Sequence, residues 1–414
     1  MAMTKELVQI LGQRPAMTGS GIYLQALYND AAEAGYSQAV IGAAIKESSF
    51  QDLAGIARED FYPVLFNSDK LNFAPFGMSD NMPYLSSQYK NMSAEQKDRF
   101  LKAYFSKLEM VLERFNDPVI LTHHLWLLSG AIAKKFQDLK VMAICHGTGI
   151  RQLKQNPGFG AELREGLSYL DQVFALNDVQ KELIAKHFSI GINKIKVTGL
   201  GYNSQYFSLP TDEEFIEKQS KEKPELVYVG KLSYSKGVIS LIRALEMISD
   251  KNLKITFIGS GQGVEAQEIK DRANQLKQEV EFTGQLSQAE VARRLRSADL
   301  LCLPSFYEGF ALVILEALAS GLRVVCSDLP GVRNKIPGYI KKAGTIDFVE
   351  LPPLKDVDKP VESELPDYEK RLAAAVREQL AKIAELDFLK DTEYKKAVQS
   401  LNWKSVFEMI EGEF

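Results

Sequence analysis

Short apolar runs alternate with amphipathic helical patterns along most of the 414-residue chain. In the first half, the apolar run Leu7–Leu11 leads through a Gly- and Pro-containing loop, Gly12–Gly21, and a helical pattern, Ile22–Ala34, to a second strand at Ala39–Ala43. This order predicts a βαβ unit. The same patterns predict further strands at Val119–Leu121, Lys140–Cys145, Gln172–Leu176 and Ile195–Thr198, and helices at Ala94–Arg114 and Gly130–Phe136.

The second half repeats this alternation. It predicts strands at Leu226–Val229, Lys254–Ile258, Glu281–Thr283 and Asp299–Leu303, and helices at Gly237–Ile248, Val264–Lys277, Ser287–Ser297 and Phe310–Ser320. Strands that alternate with helices form parallel sheets, so the pattern predicts an α/β fold of two doubly wound, Rossmann-like domains. Such sheets bind ligands at the C-terminal ends of their strands, and we expect the two sheets to face one cleft.

The domain boundary is expected between Gly199 and Pro224, where Gly, Asn, Ser, Pro and a run of charges interrupt the apolar pattern. We assign residues 1–205 to an N-terminal domain, 206–392 to a C-terminal domain, and 393–414 to a last helix around Trp403–Met409 that returns to the first domain. The acidic, Pro-containing segment Asp356–Glu369 is expected to be a surface loop.

Composition and charge narrow the class of protein. A net charge of −4 argues against nucleic acid as a partner. The chain has no basic start followed by a long apolar run, and no apolar stretch approaches the ~20 residues of a membrane span. A cytoplasmic location is therefore expected, with peripheral membrane association and the oligomeric state left open. Cys145, Cys302 and Cys326 lie in apolar runs, which is typical of buried free thiols.

Two glutamates, Glu308 and Glu316, lie eight residues apart, one before and one inside a predicted helix. The free N–H groups at the start of that helix and the positive end of its dipole suit a diphosphate; they belong to Phe310, Ala311 and Leu312. Carboxylates repel phosphate, so the two glutamates would accept hydrogen bonds from neutral hydroxyls. Phosphate in the middle and hydroxyls at both ends describe a nucleotide sugar. An isolated pair of acids is equally well explained by the helix dipole.

This segment resembles the E-x7-E signature of retaining glycosyltransferases of family 4, which have the two-domain GT-B fold. The stretches Val229–Leu232 and Ser235–Val238 resemble the donor-phosphate loop of that family. Phe257–Gly263, Phe282–Gly284 and Ala298–Asp299 also fall where the family has equivalents. The resemblance is strongest from about Leu226 to Gly331.

The resemblance implies a retaining transferase that moves a hexosyl group from a nucleoside diphosphate sugar, with UDP favoured, to an acceptor hydroxyl. Neither a metal nor a cofactor is expected, because no cluster of Asp ligands accompanies the proposed diphosphate site. Glu308 would bond the sugar and Glu316 the ribose, while Lys236 and Lys231 would neutralise the leaving phosphate. The remaining donor contacts would come from Gly309, Phe310, Ala311 and Leu312. The family has arginine where Lys231 stands, and lysine cannot form a bidentate fork.

In the first half, which would be the acceptor side, Thr18-Gly19-Ser20-Gly21 precedes the first predicted helix, where the family has its N-terminal glycine loop. We assign Gly19, Ser20 and Gly21 to donor binding, although a Gly-rich turn is more often a tight connection. His123 and His124 follow an apolar strand. By resemblance, one of them lies near the transferred sugar and holds the reacting geometry, and His-Leu-Trp favours His124.

His146-Gly147-Thr148 resembles the family's His-Gly-Thr turn, but Gly149 replaces an acidic residue. His146 and Thr148 are therefore candidates for acceptor contacts. The aromatic-rich segment Phe61–Tyr89 contains two further candidates, Ser79 and Asp80. Its rings could pack on sugar faces. A long loop packed by its own aromatic side chains is equally expected.

Two other functions fit the same pattern. A nucleotide-sugar epimerase of this architecture would need no acceptor. A non-catalytic nucleotide-sugar-binding protein would keep Glu316 and Lys236 and tolerate the loss of His124.

Overall fold

The computed structural model describes residues 5–15, 18–45, 55–79, 82–248, 250–308, 311–329, 331–356 and 358–414. The chain divides into two compact units. Unit 1 contains Met1–Gly199 and Val406–Phe414, and unit 2 contains Leu200–Ser405.

Unit 1 is built on a seven-stranded parallel sheet. Its elements are β1 Glu6–Leu11, α1 Gly19–Glu33, β2 Ser37–Ala44, β3 Phe61–Leu65, β4 Phe76–Gly77, β5 Ser87–Gln88, α2 Ala94–Leu112, β6 Val119–His123, α3 Leu127–Lys135, β7 Val141–Ile144, α4 Thr148–Gln155, α5 Gly160–Leu167, β8 Gln172–Ala175, α6 Asp178–Phe188 and β9 Ile195–Val197. The strand order is β3-β2-β1-β6-β7-β8-β9, and β4 pairs with β5 in a separate small sheet.

Unit 2 has a six-stranded parallel sheet with the order β12-β11-β10-β13-β14-β15. Its elements are α7 Asp212–Gln219, β10 Glu225–Val229, α8 Val238–Glu246, β11 Lys254–Ile258, α9 Gly263–Ala273, β12 Glu279–Gly284, α10 Gln288–Ser297, β13 Leu300–Leu303, α11 Leu312–Ala319, β14 Arg323–Ser327, α12 Val332–Lys335, α13 Gly338–Lys342, β15 Ile346–Val349, β16 Leu354–Asp356, β17 Lys359–Pro360, α14 Leu365–Ala381, α15 Thr392–Gln399 and α16 Trp403–Glu411.

Both sheets are doubly wound, as the alternation of strands and helices predicts. In unit 1 the strand order reverses between β1 and β6, and in unit 2 between β10 and β13. Such a topological switch point opens a crevice at the C-terminal ends of the two strands. Leu11 at the end of β1 is in register with His123 at the end of β6, so the residues that follow both strands lie beside that crevice.

Each sheet is covered by helices and has its own apolar core. The central strand β1 is buried along its whole length, as expected of a parallel strand with helices on both faces. Cys145, Cys302 and Cys326 are free and buried, which confirms that they belong to the core.

Two predictions about elements were wrong. Asp356–Glu369 is not simply a surface loop, because it contains β17 and the start of α14, and its first residue ends β16. Tyr368 and Glu369 in that first part of α14 are buried. Phe61–Leu65 is strand β3 of the main sheet rather than a loop.

The aromatic side chains after β3 mostly pack inward. Phe66, Phe73, Phe76 and Tyr89 are buried, and Phe76 stacks on Tyr89 with ring centroids 5.2 Å apart. These rings fill the core of unit 1, so they do not form a surface for sugar stacking.

The last helix, α16, confirms the helix expected around Trp403–Met409. Its residues from Val406 onward belong to unit 1. Glu411 accepts hydrogen bonds from Lys5 Nζ at 2.8 Å and Tyr36 Oη at 3.0 Å. Lys196 Nζ donates to Glu413 at 2.7 Å. These bonds tie the end of the chain to unit 1.

Candidate functional site

The switch point of unit 2 brings two of the predicted donor residues into contact. Lys236 ends a short turn after β10, and Glu308 lies in the loop after the adjacent strand β13. Lys236 Nζ is 2.7 Å from Glu308 Oε2, and it also donates to the carbonyl oxygen of Tyr307 at 3.3 Å. Ser305 Oγ donates to the other carboxylate oxygen of Glu308 at 2.8 Å. Both oxygens of Glu308 therefore have protein partners.

Helix α11 begins at Leu312, two residues later than predicted, because Ala311 has the non-helical angles φ −86° and ψ 70°. Gly309 and Phe310, assigned to donor binding from the sequence, lie outside the described residues. The helix ends as predicted, since Gly321 adopts a left-handed φ of +76° directly after the C-cap residue Ser320.

Glu316 lies within α11 and is only 8% exposed. Burial raises the pKa of its carboxyl to about 7. Within the described ranges its side chain has no hydrogen-bond or ion-pair partner. A buried carboxyl in this condition can still bond the hydroxyls of a ligand.

A pocket of about 470 Å³ lies at the C-terminal ends of β10 and β11. Lys231 lines it and is exposed. The other lining residues are Gly230, Gly259, Ser260, Gly261, Gln262, Glu265 and Gln285. The structure therefore brings Lys231 to a polar pocket, whereas Lys236 contacts Glu308.

The switch point of unit 1 carries a second polar network. His124 Nε2 is 3.2 Å from Gln13 Oε1, and His124 Nδ1 is 3.0 Å from Thr148 Oγ1. Ser20 Oγ donates to the same oxygen of Gln13 at 3.4 Å. The predicted residues His124, Thr148 and Ser20 are thus linked through Gln13, which follows β1 and is buried.

His123 and His146 form a stacked pair with ring centroids 5.3 Å apart and an interplanar angle of 8°. His123 Nδ1 is 3.0 Å from His146 Nε2, and His123 Nε2 is 3.1 Å from Gln9 Oε1. Burial lowers the pKa of His123 and of His124 to about 3. Burial, and then the neighbouring His124 and His123, lower the pKa of His146 well below its usual value. All three imidazoles are therefore neutral at pH 7.

The predicted glycine loop is the first turn of helix α1 and does not precede the helix, which corrects the sequence-based assignment. Thr18 is the N-cap residue, and its hydroxyl accepts the N–H of Gly21 at 3.1 Å. The Gly21 amide is therefore already bonded. Gly19 and Ser20 are the first two residues of the helix, where N–H groups have no partner within the helix.

Gly149 has no room for a side chain, because a Cβ atom there would lie 2.3 Å from the carbonyl oxygen of Leu125. This close approach explains why the acidic residue of the resembled family is absent at this position. Of the other acceptor-side candidates, Ser79 is half-buried, and Asp80 lies outside the described residues.

Gln9, Gln13 and Ser305 contact the predicted residues but were not identified from the sequence. Gln9 and Gln13 were detectable as polar residues within and just after an apolar strand. In the part of the chain that is described, no group of three or more His, Cys, Asp or Glu side chains is arranged to hold a metal ion.

Residues 211–342, which span strands β10 to β14, match the protein family described as Glycosyl transferases group 1. This match covers the part of unit 2 that runs from α7 to α13. A glycosyltransferase of Methanocaldococcus jannaschii is 32% identical over 174 residues, which cover 40% of this chain and 44% of that protein. Glycogen synthase of Mycobacterium tuberculosis is 29% identical over 234 residues, 53% of this chain and 54% of that protein. The chain thus spans about half the length of these curated relatives.

Solved structures similar to this chain show the same fold over nearly its whole length. Sucrose-phosphate synthase from Thermosynechococcus elongatus has a TM-score of 0.64 at 18% identity and covers 99% of this chain and 98% of its own. Anabaena HepE in complex with UDP has a TM-score of 0.64 at 12% identity and covers 98% of both chains. These likenesses confirm the predicted GT-B fold class. Among the described helices, none is both long and apolar enough to span a membrane.

Proposed function

We propose that this protein is a retaining glycosyltransferase that moves a hexosyl group from a nucleoside diphosphate sugar, with UDP favoured, to an acceptor hydroxyl. The observation that carries the proposal is the contact between Lys236 and Glu308 at the switch point of the unit that matches the family. The relatives named as glycosyltransferases and the UDP held by HepE support the class of donor.

The proposed chemistry places charge where unit 2 can stabilise it. The bond between C1 of the sugar and the phosphate oxygen breaks, and an acceptor oxygen bonds to C1 on the same face. Negative charge develops on the leaving diphosphate. Lys236 and the N–H groups at the start of α11 would stabilise this charge, with Lys231 as a further cation. No metal or cofactor is proposed.

The two glutamates would recognise neutral parts of the donor. Glu316 would accept hydrogen bonds from the ribose, and Glu308 would bond the sugar hydroxyls once Lys236 turns to phosphate. In unit 1, His123 and His124 would hold the reacting geometry, and the network around Gln13 keeps the His124 ring in place.

Incubation with a panel of nucleotide sugars, with and without candidate acceptors, tests the proposal. A transferase releases nucleoside diphosphate and forms a new glycoside only when an acceptor is present. An altered nucleotide sugar formed without acceptor would indicate the alternative epimerase. Thermal stabilisation by the donor with no product at all would indicate a binding protein.

Addition of EDTA to an active reaction tests metal independence. We expect the initial rate to stay unchanged. Loss of activity that Mg²⁺ or Mn²⁺ restores would contradict this part of the proposal.

A further inference from the structure

The three histidines at the switch point of unit 1 differ in how their ring nitrogens are used. Both nitrogens of His124 have protein partners, and so do both nitrogens of His123. His146 uses Nε2 to contact His123, but its Nδ1 has no partner among the residues described here. His146 is also only partly buried, whereas the other two rings are buried. Of these six nitrogens, Nδ1 of His146 is the one available to a ligand.

Gln9 is an unusual residue for its position. It lies in the middle of the central strand β1 and is fully buried. Its Oε1 contacts His123, while its Nε2 has no hydrogen-bond partner in the described structure. A buried amide left half-satisfied is costly, so packing alone does not explain it. The one hydrogen bond that the Gln9 side chain forms in the described structure is the bond between its Oε1 and the ring of His123.

That hydrogen bond fixes the proton positions in both stacked rings. A carbonyl oxygen can only accept, so Nε2 of His123 must carry its proton. A neutral imidazole has one N–H, and Nδ1 of His123 is therefore an acceptor. His146 must then donate from Nε2, which leaves its Nδ1 unprotonated.

We propose that Gln9, acting through His123, is a positioning residue that fixes His146, already a candidate for acceptor contacts, in the tautomer whose unprotonated Nδ1 can accept a hydrogen bond from a ligand hydroxyl. His146 is the ligand contact. The ligand class rests on the proposed function, whereas the tautomer does not. An uncharged acceptor suits a hydroxyl and does not suit a phosphate oxygen, which also only accepts. The hydroxyl could belong to the transferred sugar or to the acceptor.

Nuclear magnetic resonance of the ¹⁵N-histidine-labelled protein tests the tautomer directly. The chain has four histidines, and a His187→Gln variant identifies the signal of the one outside the cluster. We expect wild-type His146 to carry its proton on Nε2. Gln9→Met removes the acceptor and should give His146 a mixture of tautomers, with His124 unchanged because its partners are Gln13 and Thr148. Gln9→Glu should restore the wild-type pattern at a pH at which its carboxylate is ionised, since a carboxylate only accepts.

A proton on Nδ1 of His146 in the wild-type protein would overturn the assignment. So would a His146 tautomer that Gln9→Met leaves unaltered in a folded variant. The wild-type spectrum decides the direction of the chain of hydrogen bonds even if the variants do not fold.

Binding of UDP, UDP-glucose and free glucose tests the ligand contact. The side-chain amide of Asn reaches the place of Nδ1, and that of Gln the place of Nε2. We expect His146→Gln to weaken binding of the sugar-containing probe about three- to tenfold, the range for one neutral hydrogen bond, and His146→Asn to weaken it less. Binding of UDP should be unchanged in both.

If His146→Gln weakens binding of UDP-glucose alone, the hydroxyl belongs to the donor. If it weakens binding of free glucose, the hydroxyl belongs to the acceptor. Equal weakening of UDP by His146→Gln would overturn the hydroxyl contact. If the wild-type protein binds none of the three probes, the result would count against the proposed function. It would not affect the tautomer assignment, which the spectra alone decide.

Discussion

Glu316 combines deep burial with the lack of a protein partner for its carboxyl in the described structure. Its pKa is raised to about 7 from an ordinary value of 4.5. Between these two values the native state keeps a proton that the unfolded state has lost. The free energy of unfolding should therefore fall as pH rises from about 4.5 to about 7, by at most about 3 kcal/mol.

Glu316→Gln removes this ionisation cost. We expect the variant to gain stability relative to wild type as the pH rises from 5 to 8, measured as the difference in urea-unfolding free energy. Glu378→Gln, on the exposed face of α14, is the control and should show no such trend.

The same Glu316→Gln variant should bind nucleoside diphosphate more weakly, by about 1–3 kcal/mol, because the ribose loses a charged acceptor. Unchanged affinity would contradict the ribose assignment.

Lys236 is the residue whose charge should matter most in the transition state. Lys236→Ala should lower kcat on the order of 100-fold, the range for loss of one group that stabilises developing charge, and affect donor binding less. Lys370→Ala breaks a 2.9 Å lysine–carboxylate pair on the surface and should leave kcat unchanged. A raised KM with unchanged kcat in Lys236→Ala would contradict a leaving-group role.

At the scale of elements, the loop after β10 is held against the end of β13 by a very close backbone contact. Gly237 has a φ of +66°, and a Cβ atom there would lie 2.0 Å from the carbonyl oxygen of Pro304. This glycine follows Lys236 directly, so the close contact also holds the lysine near the loop that carries Glu308.

Gly237→Ala should therefore destabilise unit 2 by about 2–4 kcal/mol, the sum of a left-handed alanine and a forced backbone shift. Gly344→Ala is the matched control, because Gly344 has a φ of +65° but open space around its Cβ position. It should cost only about 1–2 kcal/mol, the left-handed term alone. If both variants lose the same free energy of unfolding in urea, the contact with Pro304 contributes nothing to stability.

The sequence predicted most strands and helices within a few residues, because apolar runs bounded by Gly, Pro and capping residues are local signals. It failed for the start of α14, where charge suggested solvent. Glu369 is buried there, and it accepts hydrogen bonds from Ser240 at 3.0 Å and Arg243 at 3.2 Å on helix α8. These partners are far away in the sequence, so no local pattern could reveal them.

In the candidate site, too, some residues have a local sequence signal and others depend on partners that are distant in the sequence. Glu308, Lys236 and the histidines could be predicted as candidates because they follow strands at the edge where open α/β sheets bind ligands. Gln9 and Gln13 were missed, because their importance depends on which ring nitrogen they reach from another strand. The local sequence thus predicted candidate residues, and only the folded structure showed which side chains they contact.

At the scale of the whole molecule, nine residues that follow unit 2 in the sequence belong to unit 1. Val406, Phe407 and Ile410 are buried, and Phe407 contacts the ring of Tyr36 with centroids 5.8 Å apart. Each such apolar side chain stabilises unit 1 by about 1.5–3 kcal/mol.

A chain ending at Ser405 should therefore lose stability in unit 1 and keep it in unit 2. Hydrogen exchange should show faster exchange in β1, β2 and β9, whereas β10, β11 and β13 should keep their protection. Lys404→Ala, an exposed change in the same helix, should alter neither set. Uniform loss of protection in both units would show that they unfold together.

The placement of α16 also sets an order of events during protein synthesis. Unit 1 begins to emerge from the ribosome first, but its last helix is translated only after the roughly 200 residues of unit 2. At ~5–20 residues per second, this delay lasts roughly 10–40 s. During that time the side chain of Tyr36 and the apolar surface under α16 are uncovered on an otherwise complete sheet. Nascent unit 1 should therefore be a binding target for chaperones, and its final folding step must wait until all of unit 2 has been translated.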